Sequence, residues 1–338
     1  MTERKITRML LVGDIGATKA DLAVIGPERG PRAPLAAKTF QSASFGSIEA
    51  LLKEFLSQVS LPVEAVILGV AGPVSGGRSK ITNLPWIMDE LEIARALGLK
   101  SVRLLNDVEA AAHAVPFLKE AEVETLNAGD PQEYGNKAVI APGTGLGEAS
   151  LVWDGKRYRP SASEGGHADF APGNDMETEL LGYLQGLYDH ISYERVCSGM
   201  GIPNIYAFLL NSGYGEEPRW LKEKLSAASD PTPVIIDAAM VSDKPCKLSV
   251  LTLSVFVSIL GAAAGNLALQ MLATGGVYLA GGIPPRILPY LTGGLFMERF
   301  LRKGRMSDLV SRMPVHVIVN PGGALLGAAL YGLHTKTD

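Results

Sequence analysis

Cysteine is almost missing: Cys197 and Cys246 are the only two among 338 residues, and neither belongs to a C-x-x-C pair. A disulfide-stapled scaffold and a cysteine-rich zinc site are excluded, and a reducing compartment is expected. The five histidines, His113, His167, His190, His316 and His334, form no H-x-x-x-H pair and no His/Cys cluster, so a histidine metal site is not expected either. Charge of one sign is also missing: 31 Lys and Arg face 35 Asp and Glu, for a net charge of −4, and the basic residues are scattered. Nothing in that distribution favours nucleic acid or an anionic membrane as a partner. The start, MTERKITRMLLVGD, holds too short an apolar run for a signal-peptide core or a membrane span, so a cytoplasmic protein is expected. No G-x-x-x-x-G-K-[ST] occurs. GTGLG at 143–147 has the wrong spacing for a dinucleotide loop and precedes the alternating segment EASLVW instead of a helix.

What is present is a globular composition, 47% hydrophobic and 20% charged, in a chain long enough for two domains of ordinary size. One stretch tests the reading of a chain that does not enter a membrane: no charged residue lies between Lys247 and Arg286. Polar residues such as Asn266 and Gln270 dilute it and Gly275-Gly276 interrupts it, which favours a buried helix over Leu248 to Leu272 followed by a buried strand GVYLAGG.

An internal repeat organises the rest. LLVGDIGATKADLAVIG (Leu10 to Gly26) lies without gaps over VIAPGTGLGEASLVWDG (Val139 to Gly155), matching Gly16, Ala20, Leu22 and Gly26 to Gly145, Ala149, Leu151 and Gly155. Each copy reads as apolar strand, glycine-rich bend and alternating strand. The first half continues with a strand at 35–40, a helix at 47–57, a buried strand EAVILGVAG, a helix after Pro85, strand SVRLL and helix VEAAAHAVPFL. The second half shows strands at 138–142, 148–153 and 157–161, a helix from Met176 to His190, the long apolar helix, strands GVYLA and VHVIV, and a helix from Ala324. Strands interleaved with helices predict an α/β fold whose sheets combine parallel pairs with antiparallel opening hairpins.

The first bend admits two readings. Gly13 and Gly16 can supply positive φ or a tight turn, with Asp14 bonding its own backbone. Alternatively, a bend without side chains lets backbone N–H groups approach phosphate while a carboxylate attends the accompanying cation. Asn106 and Asp107 stand where a buried strand ends and a helix begins, the place for a helix cap and equally for a base that takes a hydroxyl proton in phosphoryl transfer. Glu164 and His167 flank a glycine pair in SASEGGHADFAP, suited to neighbouring sugar hydroxyls or to a plain structural loop. In HISYERVCSGMG, Ser192 reads as a helix N-cap and Glu194 as a first-turn carboxylate.

The blocks G-D-I-G-A-T at 13–18, L-L-N-D at 104–107, P-G-T-G-L-G at 142–147, S-E-G-G-H-A-D-F-A-P at 163–172, E-R-V-x-S-G at 194–199 and G-G-V-Y-L-A-G-G-I at 275–283 run in one order along most of the chain. Together they resemble the bacterial glucokinases of the hexokinase-like group, within the actin/hexokinase/Hsp70-like superfamily. The resemblance implies two related actin/hexokinase-like (ribonuclease H-like) domains with mixed sheets and an interdomain cleft, a smaller one of residues 1–117 plus 318–338 and a larger one of 118–317, with hinges near 117 and 318. It implies glucose held through Asn106, Asp107, Glu164, His167 and Glu194, with Asp107 as general base forming glucose 6-phosphate. ATP is implied across Gly13, Asp14, Ile15, Gly16, Ala17 and Thr18 and across Gly143, Thr144 and Gly145, with Asp14 acting on Mg²⁺ directly or through water. A homodimer is the family expectation.

The chain departs from the family where G-G-T-N-x-R is usual, reading Gly16-Ala17-Thr18-Lys19-Ala20-Asp21. Lys19 and Asp21 share a strand face and are expected to pair, with Lys19 replacing the missing positive charge. The related repressor/kinase sugar family usually carries a cysteine-rich zinc motif after its histidine, and no cysteine follows His167 until Cys197. Two other functions suit the same residues: a kinase for another hexose such as mannose or N-acetylglucosamine, and a non-catalytic sugar or ATP sensor. The second predicts binding or ATP hydrolysis without sugar phosphate.

Overall fold

The computed structural model describes residues 9–26, 28–81, 84–241 and 243–334. The charged start of the chain, on which the signal-peptide reading partly fell, lies outside them. The described residues fall into two compact units, one within 1–119, 160–162 and 320–338 and the other within 120–159 and 163–319; the sequence expectation placed the breaks after 117 and 317.

In chain order the strands of the first unit are β1 (Leu10–Ile15), β2 (Lys19–Ile25), β3 (Ala36–Gln41), β4 (Ala65–Val70), β5 (Val74–Ser75), β6 (Arg78–Lys80), β7 (Ile87–Asp89) and β8 (Ser101–Asn106). Its main sheet has the order β3-β2-β1-β4-β8, antiparallel across the hairpins and parallel from β1 through β4 to β8. Burial on both faces explains why β4, and β1 as far as Gly13, read as apolar runs. Leu11, Val66 and Leu68 face a core completed by Leu51, Leu52 and Phe55 of the helix Ile48–Val59. Leu10, Val12 and Ile67 face the opposite way, toward Ala110, Ala328 and Ala329 of the helices Asp107–Ala114 and Gly323–His334. Both faces are therefore buried.

The other large sheet contains β9 (Val123–Asn127), β10 (Lys137–Pro142), β11 (Leu146–Trp153), β12 (Tyr158–Ser163), β13 (Gly276–Leu279) and β14 (Val315–Ile318), in the order β12-β11-β10-β13-β14-β9, and belongs to the second unit except for residues 160–162 of β12. The expected apolar helix spans Lys247–Met271, and 78% of its most apolar stretch is buried inside the fold, which is how a core helix carries a run that would otherwise span a membrane. An ion pair between Arg299 and Glu177, 3.0 Å apart and both buried, ties the chain near this helix, where Ser258 donates to the same carboxylate at 2.8 Å.

The repeat is real in topology and shifted in register. Ile15 pairs with Ala20 across the first bend and Pro142 with Leu146 across the second, so the second bend is one residue shorter and the ungapped overlay slips by two residues in one strand and three in the next. Gly13 also departs from expectation. It lies inside β1 without positive φ, and a methyl group there would come within 2.8 Å of the side-chain ends of Leu22 and Leu68, both buried, so packing favours this glycine. The helix expected after Pro85 spans Glu90–Leu97, behind β7, and the one expected from Met176 to His190 spans Asp175–Gln185.

Candidate active site

In the first unit three parallel strands end side by side: Ile15 of β1 pairs with Val70 of β4, and Val70 with Asn106 of β8. Carboxyl ends of adjacent parallel strands are where α/β sheets hold ligands. Asp14 occupies the penultimate position of β1 and Asp107 the first turn of the helix that follows β8. Gly69, between them on β4, allows the close approach. A methyl group there would stand 3.0 Å from Ala110 Cβ, 3.7 Å from the Gly13 carbonyl and 3.8 Å from Asp107 Cα. Burial pushes Asp14 from 3.8 up to about 6, the charges of Asp107 and Asp21 add to the rise, and Lys19 opposes it.

Asn106 is a helix cap in fact: its side-chain oxygen accepts from the N–H groups of Val108 and Glu109 at 3.0 and 3.2 Å, while its amide donates to the Gly72 carbonyl at 3.1 Å. Capping and a ligand role are compatible, because the cap fixes the rotamer that presents Asp107 next to it. The expected Lys19–Asp21 pair is formed, at 3.1 Å, and Thr39 donates to the same carboxylate. At the bend itself the Gly16 N–H donates to the Lys19 carbonyl at 2.9 Å and Ser42 donates to the Gly16 carbonyl at 2.7 Å, holding the loop of Ala17 and Thr18 in place.

The second unit gathers the other predicted residues. Segments 168–170 and 191–193 are zipped by an Asp169–Ser192 bridge and by the Phe170 and Tyr193 N–H groups donating to the Ile191 and Ala168 carbonyls, at 2.9 and 3.0 Å. This zipper brings Glu194, in the short 3₁₀ turn Tyr193–Arg195, to His167, in the turn Gly165–His167. His167 stands between two carboxylates, with Nδ1 3.9 Å from Glu194 and Nε2 3.8 Å from Glu164. Those separations are long for direct hydrogen bonds, so the polar ends can all serve a polyhydroxylated ligand. Glu194 is further anchored by the Leu146 N–H, which donates to its Oε2 at 2.9 Å. Ser192 precedes that turn as expected but makes no side-chain cap bond.

The bend Gly143–Gly145 rests on the same structure, with the Gly199 N–H donating to the Gly143 carbonyl at 2.7 Å. Its two glycines have different reasons. A methyl group at Gly145 would lie 2.3 Å from the Glu194 carboxylate, whereas one at Gly143 would meet nothing within 4 Å. Packing does not require Gly143, and an uncovered backbone at an exposed bend is what a phosphate approaches most easily.

Mg²⁺ fits this donor set in one respect. Asp14 and Asp107 concentrate negative charge with only Lys19 opposing it at Asp14, and a cation relieves that repulsion. Among the described residues no group of three or more His, Cys, Asp and Glu could cage a metal. One residue escaped the sequence reading. Glu148 sits in β11 as a buried carboxyl, pushed by burial up to about 7. A charged residue at an inward position of an alternating strand was the available signal.

A family profile described as Glucokinase matches residues 11–335. The glucokinase of Nostoc punctiforme is 38% identical over 337 residues, covering 95% of this chain and 98% of that protein. Among solved structures, a glucokinase from an Antarctic psychrotroph aligns with a TM-score of 0.80 at 32% identity, covering 98% of this chain and 100% of that one. A ROK family glucokinase from Streptomyces griseus, in complex with glucose and AMPPNP, shares the fold with a TM-score of 0.64 at 20% identity, covering 95% and 98%.

Proposed function

The chain belongs to the glucokinase family and phosphorylates glucose with ATP, and from that premise we propose how its residues divide the work. Asp107 takes the proton of the sugar's 6-hydroxyl as that oxygen attacks the terminal phosphorus of ATP, giving glucose 6-phosphate and ADP. The reading is carried by the position of Asp107: a carboxylate fixed beside a capping asparagine at the ends of three parallel strands, next to a second carboxylate on β1.

Asn106, Glu164, His167 and Glu194 bind the sugar's other hydroxyls, two carboxylates accepting and an amide and an imidazole matching either polarity. Backbone N–H groups of 13–18 and 143–145 face the nucleotide's phosphates, and Lys19 supplies positive charge near them. Asp14 would hold Mg²⁺, directly or through a water, where the ion offsets charge on the transferring phosphoryl group. The solved Streptomyces griseus relative holds glucose and an ATP analogue, which supports the pairing of these two ligands. The same reading includes a cytoplasmic homodimer.

Sugar choice is tested by comparing glucose, mannose and N-acetylglucosamine with ATP and Mg²⁺. Glucose is expected to have the highest kcat/KM. A higher value for either of the other two would assign this chain to that sugar instead.

A further inference from the structure

β11 runs beneath the turn Gly165–His167, and two of its residues touch that turn from below. A methyl group on Gly166 would lie 2.1 Å from the Leu146 carbonyl oxygen, and one on Gly165 would lie 2.1 Å from Glu148 Oε2. The turn that carries His167, with Glu164 at its start, is thus seated directly on a carboxyl group. Glu148 is 8% exposed, and among the described residues no donor and no cation contacts its carboxylate. Such a group is costly to bury when ionised and has no structural partner to justify it.

We propose that Glu148 is a positioning residue for sugar binding, seating the Glu164–His167 turn as the neutral acid and displacing it when ionised. The inference rests on the sugar-binding role given above to Glu164, His167 and Glu194. The titratable groups around it lack a fixed cation: Cys197 is a buried thiol in electrostatic contact with it, Glu164 and His167 flank the turn above, and Tyr193 and Glu194 line the neighbouring turn. An ionised Glu148 therefore has a buried thiol and the turn backbone at Gly165 beside it, and nothing there to offset its charge. With burial raising it to about 7, the neutral form persists below neutral pH and is lost above it.

The test is the KM for glucose from about pH 6 to about pH 9, in the wild type and in Glu148→Gln, which keeps the shape and cannot ionise. The wild-type KM is expected to rise about fivefold over that range while the variant stays at the low-pH value, with kcat following one common profile. Parallel KM profiles overturn the proposal. Gly165→Ala, which places a methyl group against the carboxyl, should raise the KM at every pH; an unchanged KM there also contradicts it. Glu194→Gln separates the two levels of inference. If that variant keeps the wild-type KM, the sugar-site assignment fails, whereas parallel profiles with a weakened Glu194→Gln reject Glu148 alone.

Discussion

Asp107→Asn lowers kcat by about a thousandfold and leaves glucose affinity within a few-fold of wild type, as expected for loss of a general base whose carboxamide replacement keeps shape and hydrogen bonding. The fold should be indifferent to the change. The helix Asp107–Ala114 is capped by Asn106, whose two cap bonds survive the substitution, and the Val108 N–H, which also donates to Asp107 Oδ1 at 2.9 Å, keeps its bond to Asn106. Stopped-time assays of sugar phosphate, with glucose binding followed separately by calorimetry, read the two effects apart. Turnover within tenfold of wild type would remove Asp107 from the base position, because general bases contribute about a hundredfold or more. A parallel collapse of glucose affinity would assign it to binding alone.

Asp14→Asn should make the protein more stable and inactive together. Burial and the charges of Asp107 and Asp21 hold the Asp14 carboxyl at about 6 in the fold, against 3.8 ordinarily. A carboxyl raised in this way favours the folded state while protonated, so stability declines as pH climbs from about 4 to about 6 and the full cost persists above. At about 1.4 kcal/mol per unit, and allowing for partial exposure, that cost is about 2 kcal/mol at pH 8 without metal. The neutral, isosteric amide escapes it, so denaturant unfolding at pH 8 in a chelator should show the variant ahead by about 2 kcal/mol, with no difference near pH 4. Added Mg²⁺ with nucleotide should stabilise the wild type more than the variant. Equal stabilities at pH 8, or equal gains from Mg²⁺, would contradict a role for Asp14 at the cation. Strain kept at a site because the ligand relieves it is a familiar reason for a destabilising residue to persist.

Most of the framework was legible because it follows from periodicity. β1 and β4 read as apolar runs since both of their faces are covered, and the helix expected at 47–57 spans Ile48–Val59, with Ser47 capping it by accepting from the Ala50 N–H at 3.3 Å. The strands β5, β6 and β7, of two and three residues, were not legible, because pieces so short are held by their neighbours and carry no pattern of their own. Helix Gly201–Asn211 hid behind Gly201 and Pro203 in its first turn, and helix Pro231–Met240 behind Pro231 and Pro233, where proline at the start of a helix looks like a breaker. The site residues could be chosen by type and order, but their grouping could not. His167 and Glu194 meet through the pairing of segments 168–170 and 191–193, a tertiary contact with no local signature. Glycines were the weakest inference: Gly13 and Gly145 answer to packing, while Gly143 does not.

Quantifying ADP and sugar phosphate from one reaction of glucose, ATP and Mg²⁺, with phosphorus NMR locating the new ester, tests the central assignment most directly. The account predicts equal amounts of ADP and glucose 6-phosphate, with neither formed when glucose is withheld. ADP accumulating without a sugar ester, or a phosphate borne on any carbon other than the sixth, would contradict it.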